Sequence, residues 1–174
     1  MQENQRLFIA VFPPVSIRRA LHRLARQQHS QLGGRCMPAG NLHLTLAFLG
    51  DTPSEQIAPI LDVLQRHPVP DCQLHLDTLG AFGHGGIVWA GCSEMPALFL
   101  GWVEALRADL SAQAIAFDSK PFRAHVTLLR KANSPAGSII APALTWKPGN
   151  ARLYASVSEQ GRPVYQPIDT PPLI

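Results

Sequence analysis

The sequence lacks the cysteine pattern of a disulfide-stabilised or zinc-binding protein. Its three cysteines, Cys36, Cys72 and Cys92, are odd in number, lie far apart and include no Cys-x-x-Cys pair. Disulfide frameworks need paired cysteines, and structural zinc sites need closely spaced thiolates. We therefore expect free thiols and neither of these two kinds of stabilising site.

Long apolar runs are also absent. No segment approaches the roughly 18 to 20 consecutive apolar residues that span a bilayer, and residues 1–6 lack the apolar core of a signal peptide. Apolar residues make up 46% and charged residues 16% of 174 positions, as in an ordinary globular domain. We expect a cytoplasmic protein without membrane association, with residues 1–174 forming one bilobal domain.

Two widespread enzyme motifs are missing as well. A phosphate-binding P-loop requires Gly-Lys-Ser or Gly-Lys-Thr, and the nucleophile of an α/β-hydrolase requires Gly-x-Ser-x-Gly. Neither pattern occurs in this chain. The chemistry therefore has to come from other residues.

Positive charge is concentrated in two segments. Residues 1–35 contain six arginines against one acid, and residues 119–158 contain six lysines and arginines and no acid, whereas residues 36–118 contain nine acids against two arginines. Such clustering favours a polyanionic ligand, although solvated helix and loop surfaces also carry runs of charge. The second basic segment surrounds His125.

A four-residue pattern occurs twice, as His43-Leu44-Thr45-Leu46 and as His125-Val126-Thr127-Leu128. Side chains alternate between the two faces of an extended strand, so each histidine shares a face with its threonine while the apolar neighbours point the other way. One such pattern is typical of an ordinary strand. Two in matching settings predict a polar site between two strands.

Two histidines suit acid–base chemistry at phosphorus. The ordinary histidine pKa, about 6.5, allows one neutral and one protonated imidazole near neutral pH. One histidine can then remove a proton from water while the other protonates the departing oxygen, and the threonine hydroxyls can bind phosphoryl oxygens. Only His43 and His125 share a context, and a zinc site needs three or four ligands. We therefore expect a site without metal or cofactor.

The order of elements predicts an α+β fold. Apolar periodicity indicates a strand at residues 7–12, a helix from Val15 to Gly33, motif strands at 42–49 and 122–130, a strand pair at 72–82 and 87–92, and a helix at 96–114. Thr52 reads as the cap of a second helix, in which Pro59 predicts a kink or a short helix. Residues 132–143 read as a loop, followed by strands at about 144–157 and 163–169. The duplication predicts two pseudo-symmetric halves, whose antiparallel sheets face a central cleft with the helices outside.

Residues 41–50 (Asn-Leu-His-Leu-Thr-Leu-Ala-Phe-Leu-Gly) and 120–130 (Lys-Pro-Phe-Arg-Ala-His-Val-Thr-Leu-Leu-Arg) resemble the two signatures of the two-histidine (2H) phosphoesterase superfamily. More narrowly, the chain resembles the bacterial RNA 2′,3′-cyclic phosphodiesterases, also described as 2′-5′ RNA ligases. This resemblance implies a bilobal, pseudo-symmetric α+β fold and hydrolysis of a terminal 2′,3′-cyclic phosphate of RNA to a 2′-phosphate. We expect the protein to be a monomer.

The resemblance also implies residue roles. His43 would donate a proton to the departing 3′-oxygen, His125 would act as the base for water, and Thr45 and Thr127 would bind phosphate. Arg130 matches the arginine that ends the second signature. Strict alternation from His125 would place Arg130 on the opposite face, so its role in phosphate binding requires a bulge or a strand end there.

Phe48 and Tyr165 are further candidates, for stacking on a base, although both residue types also pack in ordinary cores. Two alternative functions stay open at this point. The same site can join RNA through a 2′-5′ linkage, the reverse of diester cleavage, or the basic cleft can serve as an RNA- or tRNA-binding module without turnover.

Overall fold

The computed structural model describes residues 4–83 and 85–169. Within these residues the chain forms nine strands and three α-helices. The strands are β1 (Asn4–Val11), β2 (Arg35–Cys36), β3 (Leu44–Pro53), β4 (Leu74–Phe82), β5 (Ile87–Gly91), β6 (His125–Arg130), β7 (Ser138–Trp146), β8 (Arg152–Glu159) and β9 (Arg162–Ile168). The helices are α1 (Val15–Leu32), α2 (Ile57–Arg66) and α3 (Ala97–Ala112).

The strands form two antiparallel halves that meet at the two motif strands. The strand order is β7-β4-β5-β6-β3-β1-β8-β9, with β2 paired to β6. Between β3 and β6 the registered pair is Leu44 with Val126. The α+β class and the duplicated halves are confirmed. The two predicted sheets are joined through this pair, so they form one continuous sheet in the described chain.

Each half contains a strand–helix–strand unit that ends in a motif strand. In the first half the unit is β1, α1 and β3, with the short β2 between α1 and β3, and in the second half it is β5, α3 and β6. Helix α1 packs against β6 and β7 of the second half, while α2 packs on α3 and β8. The helices therefore fasten the halves together as well as covering the sheet.

Helix α1 agrees closely with its prediction. Its apolar stripe buries Leu21 and Ala25, and it ends at Gly33, whose φ of 67° is the left-handed conformation that glycine adopts readily. Apolar residues of both motif strands complete the core: Leu44, Leu46, Val126 and Leu128 are fully buried. Burial of these side chains fixes which face of each strand turns towards the cleft.

Two local predictions were wrong. Thr52 does not cap a helix, because it belongs to β3, where it pairs with Gln5 and its hydroxyl donates to the carbonyl of Gly50. Helix α2 starts five residues later, and Pro59 is its third residue, where a backbone N–H has no partner within the helix to lose. The segment 132–143, expected to be a loop, contains the first part of β7.

Candidate active site

A cavity of about 450 Å³ opens where the two motif strands meet. All seven residues proposed from the sequence line it, which are His43, Thr45, Phe48, His125, Thr127, Arg130 and Tyr165. The structure thus brings together side chains that lie more than a hundred positions apart along the chain.

The register between the motif strands arranges the four polar side chains. Leu44 and Val126 are partners in an antiparallel pair and are both fully buried. Their chain neighbours point to the opposite, cleft-facing side of the sheet. Antiparallel pairing also sets neighbours opposite one another in crossed order, so His43 lies towards Thr127 and Thr45 towards His125. Each histidine is therefore placed beside the threonine of the other motif.

A bulge follows the threonine in each motif. On β3, Thr45 pairs with Ala10 and Ala47 with Ile9, which leaves Leu46 as the extra residue. On β6, Thr127 pairs with Trp89 and Leu129 with Val88, which leaves Leu128 as the extra residue. A bulge shifts the alternation of all following side chains by one position.

These bulges explain how Arg130 and Phe48 reach the cavity. Both lie five positions after a motif histidine, where regular alternation would point them into the core. Past the bulge they line the same cavity as the histidines. The β-bulge that the sequence analysis required for Arg130 is therefore present, and its counterpart places Phe48.

Both imidazoles are held in the same orientation by the backbone. The Nδ1–H of His43 donates to the carbonyl of Asn41 over 2.7 Å, and the Nδ1–H of His125 donates to the carbonyl of Arg123 over 2.7 Å. When Nδ1 carries the proton, Nε2 of a neutral imidazole is the basic nitrogen. Each histidine can therefore accept or donate a proton through Nε2.

Aromatic rings surround His43. The ring centroids of Phe8, Phe12 and Tyr165 lie 4.9, 5.1 and 5.0 Å from the centroid of its imidazole. The pKa of His43 is lowered to about 4, and burial among these rings is the largest cause. The hydrogen bond to Asn41 opposes this shift, whereas the nearby His125 and Arg130 add to it. In the free site His43 is neutral at pH 7.

His125 has a milder environment. Phe82 contacts its ring edge-on with centroids 4.8 Å apart, and Trp89 lies 6.4 Å away. Burial also lowers the pKa of His125, Arg130 lowers it further, and the hydrogen bond to Arg123 opposes both effects. Because the pKa of His43 is lowered more than that of His125, a single proton shared by the two histidines of the free site resides mainly on His125.

The two threonines differ in the free site. The hydroxyl of Thr45 lies 3.0 Å from Nε2 of His43. A neutral His43 accepts this hydrogen bond from the hydroxyl. Within the described residues Thr127 forms no such side-chain hydrogen bond, so its hydroxyl is available to a bound group.

The cavity is strongly basic. Arg6, Arg35 and Arg130 line it, and no acidic side chain of the described part of the chain does. None of these arginines forms an ion pair within residues 4–83 and 85–169. The guanidinium carbon of Arg6 lies 5.0 Å from the ring centroid of Phe48, which is 36% exposed. The site therefore favours an anionic ligand with a flat group near its rim.

Several residues that shape this site were missed by the sequence analysis. The side-chain amide of Asn41 donates to the carbonyl of Pro163 over 2.9 Å and so fastens the segment before His43 to β9. Arg107 on α3 donates to the carbonyls of Leu46 and Lys120, each over 2.9 Å. Arg107 thus ties the β3 bulge to the segment that leads into His125. Its one sequence signal is a cation beside the apolar stripe of α3.

Two further observations concern what the described residues do not contain. No group of three or more histidine, cysteine, aspartate or glutamate side chains in this part of the chain could hold a metal ion. Among its helices, none has the length and apolar character needed to cross a membrane.

Comparison with known proteins gives a consistent picture. Residues 11–89 match the family model described as LigT like Phosphoesterase. The RNA 2′,3′-cyclic phosphodiesterase of Escherichia coli is 34% identical to this chain, over 97% of this chain and 96% of the relative. The RNA 2′,3′-cyclic phosphodiesterase of Thermus thermophilus is also 34% identical, over 92% of this chain and 86% of the relative. The crystal structure of E. coli LigT complexed with 3′-AMP superposes with a TM-score of 0.85 at 31% identity, covering 95% of this chain and 96% of that one.

Proposed function

Because this chain belongs to the LigT-like phosphoesterase family, we propose that it hydrolyses the 2′,3′-cyclic phosphate at the end of an RNA strand to a 2′-phosphate. The observation that carries the proposal is the pair of His-x-Thr motifs, whose four polar side chains line one basic cavity. A cyclic phosphodiester carries one negative charge, which the three arginines of the lining favour. We also propose that the protein acts as a monomer in the cytoplasm.

The reaction requires one proton to be taken and one to be given. A neutral imidazole removes a proton from water, and the water oxygen attacks phosphorus. The bond from phosphorus to the 3′-oxygen breaks, and a protonated imidazole donates its proton to that oxygen. The product has a 2′-phosphate and a free 3′-hydroxyl, and the two histidines end with their protons exchanged.

The backbone hydrogen bonds at Nδ1 prepare both histidines for this exchange. Since Nδ1 donates to a backbone carbonyl in each case, the proton that is transferred moves through Nε2. Fixed orientation removes part of the entropy cost of bringing water, phosphate and acid into line. Each imidazole can contribute on the order of 10²- to 10⁴-fold to the rate.

We assign the donor role to His43 and the base role to His125, as the family resemblance implies. In the free site the proton prefers His125, because burial lowers the pKa of His43 to about 4. A bound phosphate favours the protonated form of whichever imidazole lies closer to its oxygens. Contact of the substrate with His43 is therefore the step that we expect to move the proton to the donor.

The remaining cavity residues bind the phosphate. We assign Thr45 and Thr127 as hydroxyl donors to phosphoryl oxygens and Arg130 as the nearby cation. When phosphate displaces Nε2 of His43 as the partner of the Thr45 hydroxyl, the imidazole becomes free to carry a proton. Phe48 and Tyr165 complete the wall, with Tyr165 packed against His43 and Phe48 more exposed at the rim.

The test is hydrolysis of an oligoribonucleotide with a 2′,3′-cyclic phosphate end in excess chelator. We expect a single product with a 2′-phosphate, formed at an unchanged rate after metal removal. A requirement for added divalent metal would contradict the metal-independent route. Joined RNA as the main product would favour the ligase alternative, and salt-dependent binding without any product would favour a binding module.

A further inference from the structure

Two further hollows follow the catalytic cavity in succession along the surface. The first, about 230 Å³, shares Arg35, Met37 and Pro163 with the catalytic cavity and adds Arg162. The second, about 590 Å³, shares Arg35 with the first and adds Arg26 from α1. The shared lining residues place the two hollows in a row that leads from the catalytic cavity towards helix α1. We call Arg35, Arg162 and Arg26 the basic track.

The track is positively charged along its whole length. No acidic side chain of residues 4–83 and 85–169 lines the catalytic cavity or either hollow. Arg26, Arg35 and Arg162 are exposed and form no ion pair within residues 4–83 and 85–169. Paired surface arginines do occur elsewhere, since Arg66 and Arg152 are each bound to an aspartate. The track therefore keeps its charge available to a ligand.

Arg35 and Arg130 form an unfavourable pair unless an anion lies between them. They are directly opposite partners on β2 and β6, and both line the catalytic cavity. Like charges directly opposite each other on neighbouring strands destabilise a sheet. Gly34 makes this approach possible, because a Cβ there would come within 2.5 Å of the carbonyl oxygen of Arg130. The chain thus holds two arginines together at the start of the track.

We propose that the basic track binds the RNA strand upstream of the cyclic phosphate. The first upstream phosphodiester then lies at Arg35 and Arg162, and the second lies at Arg26. This inference rests on the proposed function and specifies its substrate as single-stranded RNA of three or more nucleotides. The first hollow has apolar walls at Met37, Pro38 and Pro163, which can contact a base between the two phosphates.

A second exit from the catalytic cavity is less basic. It shares Arg6 and Ser156 with the cavity and continues past Gln5 and Gln166. Among the residues that the structure describes, Arg6 is its single charged lining residue. A strand that left by this exit would meet one arginine instead of three. Charge therefore favours the track over the glutamine-lined exit.

The experiment measures the affinity of 5′-labelled oligoribonucleotides of one to six nucleotides that end in a 2′-phosphate. This product form is bound without turnover, so the result does not depend on catalysis. We expect affinity to rise up to about three or four nucleotides and then level off. Arg26→Ala and Arg162→Ala should each reduce the affinity for the six-nucleotide RNA about two- to five-fold. Each should also make the slope of log affinity against log salt concentration shallower by roughly 0.7.

Matched controls separate this route from general charge effects. Arg66→Ala removes the same charge from α2, where Arg66 lines none of these cavities, and should leave the length dependence intact. Gln166→Ala tests the other exit. Equal affinity for oligonucleotides of one and six nucleotides would contradict binding along the basic track. So would a result in which Gln166→Ala loses the increase of affinity with length while Arg26→Ala and Arg162→Ala keep it. Length-dependent binding on the track without hydrolysis of any cyclic substrate would support the track and contradict the proposed function alone.

Discussion

Leu44 and Val126 are the registered partners that join the two halves of the sheet, and each directly follows a motif histidine. Because both are fully buried, the histidines beside them turn towards the cleft. One antiparallel pair therefore sets the relative positions of both histidines and both threonines. The site is a property of the junction between the halves, and neither half contains it alone.

The first prediction concerns the stability of the free protein in acid. The pKa of His43 is about 4 in the folded chain and about 6.5 when unfolded. Stability that depends on neutral His43 is therefore present above pH 6.5 and is lost as the pH falls towards 4. At pH 5 the loss is about 2 kcal/mol relative to pH 8.

His43→Asn is the matched variant for this measurement, because its amide can still donate to the Asn41 carbonyl but does not titrate. Chemical denaturation at pH 8 and at pH 5 gives the free energy of unfolding of both proteins. We expect the unmodified chain to lose about 2 kcal/mol more than the variant between these pH values. Equal losses would show that His43 is not buried in a neutral form.

A second prediction concerns the pH dependence of the rate. The reaction needs one neutral and one protonated histidine, so kcat/KM follows a bell whose limits are the pKa values of the free pair. Both are lowered, that of His43 to about 4. We expect the maximum of kcat/KM below pH 6.5, and the maximum of kcat at higher pH because bound phosphate favours protonated imidazole. Coincident profiles, or a maximum of kcat/KM above pH 7, would contradict these pKa shifts.

Asn41 is predicted to position His43. Its side-chain amide holds the segment before His43 to Pro163, while its own carbonyl accepts the Nδ1–H of His43. Asn41→Ala keeps the carbonyl but removes the tether, so the imidazole loses its fixed orientation. We expect kcat to fall about 10-fold with a cost of about 1 kcal/mol in stability. An unchanged kcat with the same loss of stability would give Asn41 a purely structural role.

Arg130 is predicted to bind phosphate, and its neighbour provides the control. The bulge at Leu128 turns Arg130 into the cavity, whereas Lys131 is exposed and lines none of the connected cavities. Arg130→Ala removes a charge-assisted contact and should reduce kcat/KM roughly 10- to 100-fold. Lys131→Ala removes the same charge one position away and should change kcat/KM less than two-fold. Similar effects of the two variants would mean that only net charge matters.

The sequence was informative where local periodicity and the core agree. Helix α1 and the two His-x-Thr strands follow from apolar spacing and alternation, and the seven proposed residues all line one cavity. Alternation along the strand does not by itself predict that Arg130 lines the cavity. The bulges at Leu46 and Leu128 depend on pairing with β1 and β5, which a single strand does not reveal.

Long-range contacts explain what the sequence could not show. Thr52 resembles a helix cap, but β1 extends to Asn4 and pairs with β3 as far as Pro53. Strand β7 contains Pro142 and follows a segment rich in proline, glycine and serine, yet it lies at the edge of the sheet, where proline is tolerated. The tether from Asn41 to Pro163 joins residues 122 positions apart.

The most direct test of the account replaces each motif histidine separately and identifies the product by ³¹P NMR. His43→Asn and His125→Asn keep a side-chain amide to donate to the Asn41 and Arg123 carbonyls but remove Nε2. On an RNA with a 2′,3′-cyclic phosphate end, the unmodified protein should form only the 2′-phosphate. Each folded variant should lose on the order of 10²- to 10⁴-fold in rate. A folded variant that retains more than a tenth of the rate would contradict the two-histidine mechanism. A 3′-phosphate product from the unmodified protein would contradict the proposed departure of the 3′-oxygen.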